Sequence, residues 1–260
     1  MRHQSALLAA MMAGSLVFTP ALQANEPAIS RVVDVPYTSD LMFVDGYLDE
    51  SAWEEAAVLR IGPNPVENGY DNPSGGCQGS ILDKKVSWTV RLLHDGTNVY
   101  VSIETNDAHI AAAASEVAPV FSDGLIEFTI KWADQPAGPP FRLTWLSTQP
   151  GAGPGVNPSS MWQWVGEWAY SLVGASAAND DATDQGYVLE ASIPLRELKY
   201  DAAQVIENGE ILPFRLMIGD FDGPPGTNPN VAPAFWARYL LSDTWNDDLS
   251  RFEWGLRLLP

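Results

Sequence analysis

Tryptophan is the residue type whose number and placement suggest chemistry in this sequence. Ten occur in 260 residues: Trp53, Trp88, Trp132, Trp145, Trp162, Trp164, Trp168, Trp236, Trp245 and Trp254. An indole ring presents a negative π-face, and the axial C–H groups of a pyranose present a slightly positive apolar face, so an exposed tryptophan is a sugar platform. Charged and amide groups beside such a ring would grip the sugar hydroxyls. Packing is the competing use, because a β-sandwich buries large aromatics at alternating inward positions. Trp88, Trp53 and Trp254 fit that use. Trp245, in Ser242-Asp243-Thr244-Trp245-Asn246-Asp247-Asp248, sits in a polar stretch and is the exposed candidate. Trp162, Trp164 and Trp168 follow a long loop and rank next.

Catalytic arrangements are mostly missing from the sequence. Beyond the first 24 residues the histidines are His94 and His109, too few for a typical zinc centre or a His-Glu-x-x-His helix. There is no Gly-x-Ser-x-Gly elbow and no Gly-rich phosphate loop. One cysteine, Cys77, permits neither an internal disulfide nor a Cys-x-x-Cys pair. Glu127, Asp123 and Glu190 lie on or beside strand-like runs, where environment could tune a glycosidase pair. With 33 acidic residues in the chain, carboxylates near strands are expected by chance, and a structural or ligand-binding role is the simpler reading. The net charge of -19 argues against nucleic acid and anionic membrane surfaces, both of which need clustered Lys and Arg.

These residues must be positioned by strands. Val86 to Leu93 and Asn98 to Glu104 are apolar or alternating runs, joined by His94-Asp95-Gly96-Thr97, which predicts a hairpin with Asp-Gly at its turn. Further strands are expected at Leu125 to Trp132, Phe141 to Ser147, Trp168 to Val173, Tyr187 to Ile193, Phe214 to Ile218, Phe235 to Leu240 and Trp254 to Leu258. Helical signals are limited to short turns at Ser51 to Ala57 and Leu195 to Leu198. Four Pro- and Gly-rich stretches, 62–79, 133–140, 149–160 and 222–233, have loop composition. Many short strands separated by turns predict an all-β, jelly-roll-like antiparallel sandwich.

Residues 1–24 have the anatomy of a secretory signal peptide: Arg2, then an uncharged apolar stretch from Ala6 to Phe18, then Pro20 to Ala24 ending in small residues. The apolar run is too short to span a bilayer. Residues 25–260 then form a single domain, exported to the periplasm or the exterior and without a stable membrane anchor.

Val44-Asp45-Gly46-Tyr47-Leu48-Asp49-Glu50-Ser51-Ala52-Trp53 resembles the DG-x-LDE-x-x-W opening of carbohydrate-binding module family 9. Ordered similarities follow through Val90 to Asp95, Val99-Tyr100-Val101, Asp107, Ser122-Asp123 with Glu127, Phe141 to Thr144, Glu190 to Pro194, Asp220 and Gly255 to Leu258. The resemblance implies a jelly-roll-like sandwich that holds the terminal sugars of cellulose or xylan chains between two tryptophans, often with structural calcium. It implies no catalysis in this chain, and a separate polysaccharide-degrading enzyme as partner. Trp245 lies where one sandwiching tryptophan is found, and Glu127 and Arg142 match the acid and arginine that bond sugar hydroxyls. Phe121 or Val120 stands where the second tryptophan is expected, and Glu127 is one residue further from Asp123 than the pattern has it. The ligand set that follows is Trp245, Arg142, Glu127, Phe121, Trp164 and Trp168. A related group with a similar sandwich binds b-type haem in periplasmic redox enzymes. In that alternative Met217, with His94 or a lysine, would ligate the iron, although Met217 between Leu216 and Ile218 also suits core filling. A third alternative is an envelope interaction protein without sugar binding.

Overall fold

The structure is a computed structural model that describes residues 29–61, 87–108, 110, 126–133, 166–176, 183–222, 235–240 and 254–260. Among the described residues two five-stranded sheets pack face to face. The central sheet has the order β2 (Ala57–Ile61), β3 (Trp88–His94), β4 (Asn98–Thr105), β7 (Tyr187–Pro194), β6 (Glu167–Leu172), all antiparallel. The terminal sheet runs β1 (Arg31–Val35), β10 (Trp254–Leu258), β8 (Ile211–Asp222), β5 (Ile126–Ile130), with β9 (Phe235–Leu240) also paired to β8. Its pairs are antiparallel except β1 with β10, which run parallel. The expected all-β sandwich is therefore the fold.

Alternation explains which side chains meet between the sheets. Val90 and Leu92 of β3, Val101 and Ile103 of β4, and Leu189 of β7 face Phe128 of β5 and Phe214 of β8 across one buried cluster. The two phenylalanine rings lie 5.4 Å apart. Trp88 and Trp132 are buried in the same cluster, while Trp168 and Trp254 are half-buried against it.

The expected hairpin forms, and its turn shows why. Asp95 Oδ1 accepts from the Thr97 and Asn98 N–H groups, both at 2.7 Å, and Oδ2 accepts from the Tyr100 hydroxyl at 2.8 Å. Gly96 takes φ +82°, a left-handed conformation that glycine adopts without strain. Three elements were not expected from the sequence: β1, β2 and a helix α1 (Ala202–Asn208), which Asp201 caps by accepting from Gln204 N–H at 3.2 Å. Leu195 to Lys199 form turns. The expected strand at 141–147 and residues 1–24 lie outside the described residues.

Candidate functional site

The segment between β1 and β2 crosses the outer face of the central sheet. On that face the register aligns Arg91, Ser102, Glu190 and Ala169 in one row, with Leu93, Tyr100, Ser192 and Glu167 in the next. Met42, Ala52 and Trp53 of the crossing segment bury Leu93 and Tyr100 beneath them, forming a second, smaller apolar cluster. A single 3-10 turn, Ser51–Glu55, carries Ala52 and Trp53 inward.

Glu190 is the polar centre of this roof. Its Oε2 accepts from the Gly46 N–H at 2.8 Å and the Asp45 N–H at 3.1 Å, and its Oε1 accepts from the Trp53 indole N–H at 3.0 Å. The Asp-Gly turn and the tryptophan of the DG-x-LDE-x-x-W pattern are thus two jaws of a clasp on one carboxylate. Gly46 has φ +89°, and a Cβ there would stand 2.7 Å from the Tyr170 carbonyl carbon. Only glycine fits that turn. Burial pushes Glu190 up to about 7. The Gly46 and Asp45 N–H groups oppose the rise, the nearby charge of Glu50 adds to it, and the Trp53 N–H opposes it more weakly. Glu50 itself accepts from Phe43 N–H at 3.0 Å through Oε1, while its buried Oε2 has no hydrogen-bond partner among the described residues. Glu190 is buried and its oxygens are engaged, so a structural role fits this carboxylate and contact with a sugar does not.

The residues expected to bind ligand are divided by this geometry. Trp245, Arg142, Phe121 and Trp164 lie outside the described residues, as does Asp123. Glu127 is in β5 of the terminal sheet, directly opposite Met217 of β8, and Met217 is in turn opposite Leu240 of β9. Glu127 of the sugar reading and Met217 of the haem reading are therefore register partners. Trp168 stands on β6, at the edge of the other sheet among the described residues, stacked on Tyr170 with ring centroids 6.4 Å apart and planes 21° apart. Trp168 and Glu127 are thus on different sheets.

His94 is buried beneath Tyr37, whose ring meets it edge-on at 5.6 Å. Its Nε2 donates to the Leu259 carbonyl at 2.7 Å and its Nδ1 accepts from Gly96 N–H at 3.1 Å. Burial depresses its pKa. Both ring nitrogens are engaged, so this imidazole does not fit a haem iron without breaking the hairpin turn and its tie to the C-terminal strand. Among the described residues no group of three or more His, Cys, Asp and Glu side chains could hold a metal ion.

No family model matches the sequence, and no curated protein matches it at a significant level. Solved structures do. A carbohydrate-binding module family 9 from Caldicellulosiruptor kristjanssonii in complex with cellotriose is similar over 88% of this chain and 94% of that one, with TM-score 0.50 and 14% identity. The same module in complex with glucose matches over 88% and 95%, again with TM-score 0.50 and 14% identity. The chain has the fold of those modules. At this identity the likeness concerns the fold.

Proposed function

We propose that the chain, after loss of residues 1–24, is a secreted or periplasmic, non-catalytic carbohydrate-binding protein. The observation that carries this reading is the shared fold, over 88% of the chain, with a module that holds cellotriose and glucose. Trp245 supplies the stacking face, with Phe121 and Trp164 as further aromatic surface; Trp168, half-buried against the core on the other sheet from Glu127, is not part of it. Arg142 and Glu127 bond the sugar hydroxyls, a sensible pairing because a charge-assisted contact fixes both heads and leaves N–H groups and lone pairs for the ligand. The ligand class is a plant-type polysaccharide or its chain end, presented alongside a separate degrading enzyme. Structural calcium remains part of this reading.

A glycan array and affinity electrophoresis of the protein from Asn25 onward test the proposal. Trp245→Ala should weaken binding by about 2 kcal/mol or more, as for an aromatic hot spot. Arg142→Ala should weaken it comparably, because it leaves Glu127 and the hydroxyls without a charged partner. Absence of binding to any glycan, together with a Soret band in the same preparation, would overturn this reading in favour of haem.

A further inference from the structure

Between Arg31 and Arg60 the chain carries seven acidic residues and no basic one. Within that span Leu41, Phe43 and Tyr47 are 73%, 57% and 59% exposed. A single exposed apolar residue is ordinary, but three large ones within one short segment make a surface that water does not favour. Looseness does not account for them. Met42, between Leu41 and Phe43, is buried in the roof cluster. The Phe43 N–H is held by Glu50, the Asp45 and Gly46 N–H groups by Glu190, and the Gly46 carbonyl accepts from Ser171 Oγ at 2.6 Å. The backbone is therefore pinned in a course that turns Met42 inward and leaves its two apolar neighbours in solvent. Asp40, Asp45, Asp49, Glu54 and Glu55 are all exposed along the same segment.

We propose that this segment is a docking surface for a partner protein, and that the partner presents a basic polypeptide segment carrying apolar side chains. Charge complementarity selects that occupant. A second copy of the chain would bring the same acidic collar against itself, and like charges juxtaposed across an interface suppress association. An anionic lipid surface is repelled for the same reason. Sugar stacking uses flat ring faces, whereas the most exposed of the three side chains, Leu41, has none. A basic, apolar segment satisfies both halves of the surface: its aliphatic groups cover Leu41, Phe43 and Tyr47, and its lysines or arginines meet the carboxylates. The roof holds the backbone that carries the three side chains in place before the partner arrives, so little backbone ordering is required on binding.

The test uses the exported protein and a fluorescent amphipathic peptide built only of leucine and lysine, with a control peptide in which serine replaces every leucine. Fluorescence anisotropy at moderate salt should show binding of the leucine peptide and much weaker binding of the serine control. The triple variant Leu41→Ser, Phe43→Ser, Tyr47→Ser should lose about tenfold or more in affinity, in keeping with removal of central apolar contacts, with an unchanged melting temperature. Asp49→Asn with Glu54→Gln, which leaves the apolar residues intact, should lose affinity chiefly at low salt. Equal binding of the two peptides would overturn the proposal, because the attraction would then be charge alone. So would undiminished binding by both variants. Sedimentation showing a dimer that the triple variant abolishes would assign the surface to a second copy instead. Loss of polysaccharide binding in the triple variant, with peptide binding intact, would assign it to sugar.

Discussion

Among the described residues apolar surface is buried in two places, by different means. Between the sheets the cluster around Val90, Ile103, Phe128 and Phe214 is apolar and is fed by strands of both sheets. Under the roof, five residues form the apolar cluster, and a carboxylate with three N–H donors ties the crossing segment down. The first depends on area and shape, which tolerate small changes; the second concentrates its stability in a few directional contacts.

Truncation in the main core sets the upper end of the expected effects. Trp88→Ala should destabilise the protein by about 3–5 kcal/mol, read as a large fall in the denaturation midpoint with the whole sandwich unfolding together. A small change there would mean that the sheets are not held by this cluster. Next is the roof's turn. Gly46→Ala forces a Cβ into the Tyr170 backbone at a left-handed φ, and should cost about 2 kcal/mol or more. Hydrogen exchange should show residues 40–56 opening before the central sheet, which is the sharpest way to separate the two regions.

The third effect depends on pH. Folding raises Glu190 from an ordinary 4.5 to about 7, so the folded state binds a proton more tightly than the unfolded chain. The resulting stabilisation is complete below about pH 4.5 and is lost as pH rises through about 7. Glu190→Gln should abolish this component and flatten the stability profile between pH 5 and 8, a change on the order of 2 kcal/mol. Parallel profiles for the parent and the variant would show that Glu190 stays ionised throughout. The smallest effect is expected at Ser102, the direct cross-strand neighbour of Glu190, whose buried hydroxyl has no hydrogen-bond partner among the described residues. Ser102→Ala removes an unmet polar group and should leave stability unchanged or raise it by up to about 1 kcal/mol.

The difference between the regions also explains what could be read in the sequence. Strands β3, β4 and β7 announce themselves because an apolar or alternating run is a local property, and the hairpin of β3 with β4 adds an Asp-Gly turn. β1 and β2 are short, and the partner of β1 is the last strand, so its pairing is a non-local fact that no window of the sequence contains. The helix α1 did have a local signal, Asp201 before the first turn and Gly209 after the last. Its short apolar pattern hid it. Glu190 was legible as a carboxylate on a strand and as part of a family pattern, but its role was not, because its three donors are contributed by residues 137 to 145 positions away. Nothing local in the sequence separates Leu41, Phe43 and Tyr47 from Met42; fractional exposure does.

The pairing of β1 with β10 has a mechanical consequence. The strands run parallel in register from Arg31 opposite Trp254 to Val35 opposite Leu258, and Asp34 and Arg257 lock across them in a two-point ion pair at 2.6 and 2.9 Å. Tension applied to the chain before Arg31 and after Leu258 would pull the two strands lengthwise past each other. Every rung of the ladder then carries load at the same moment, whereas an antiparallel pair pulled from adjacent ends opens one rung at a time. The ion pair of Asp34 with Arg257 lies within that ladder and shares the load.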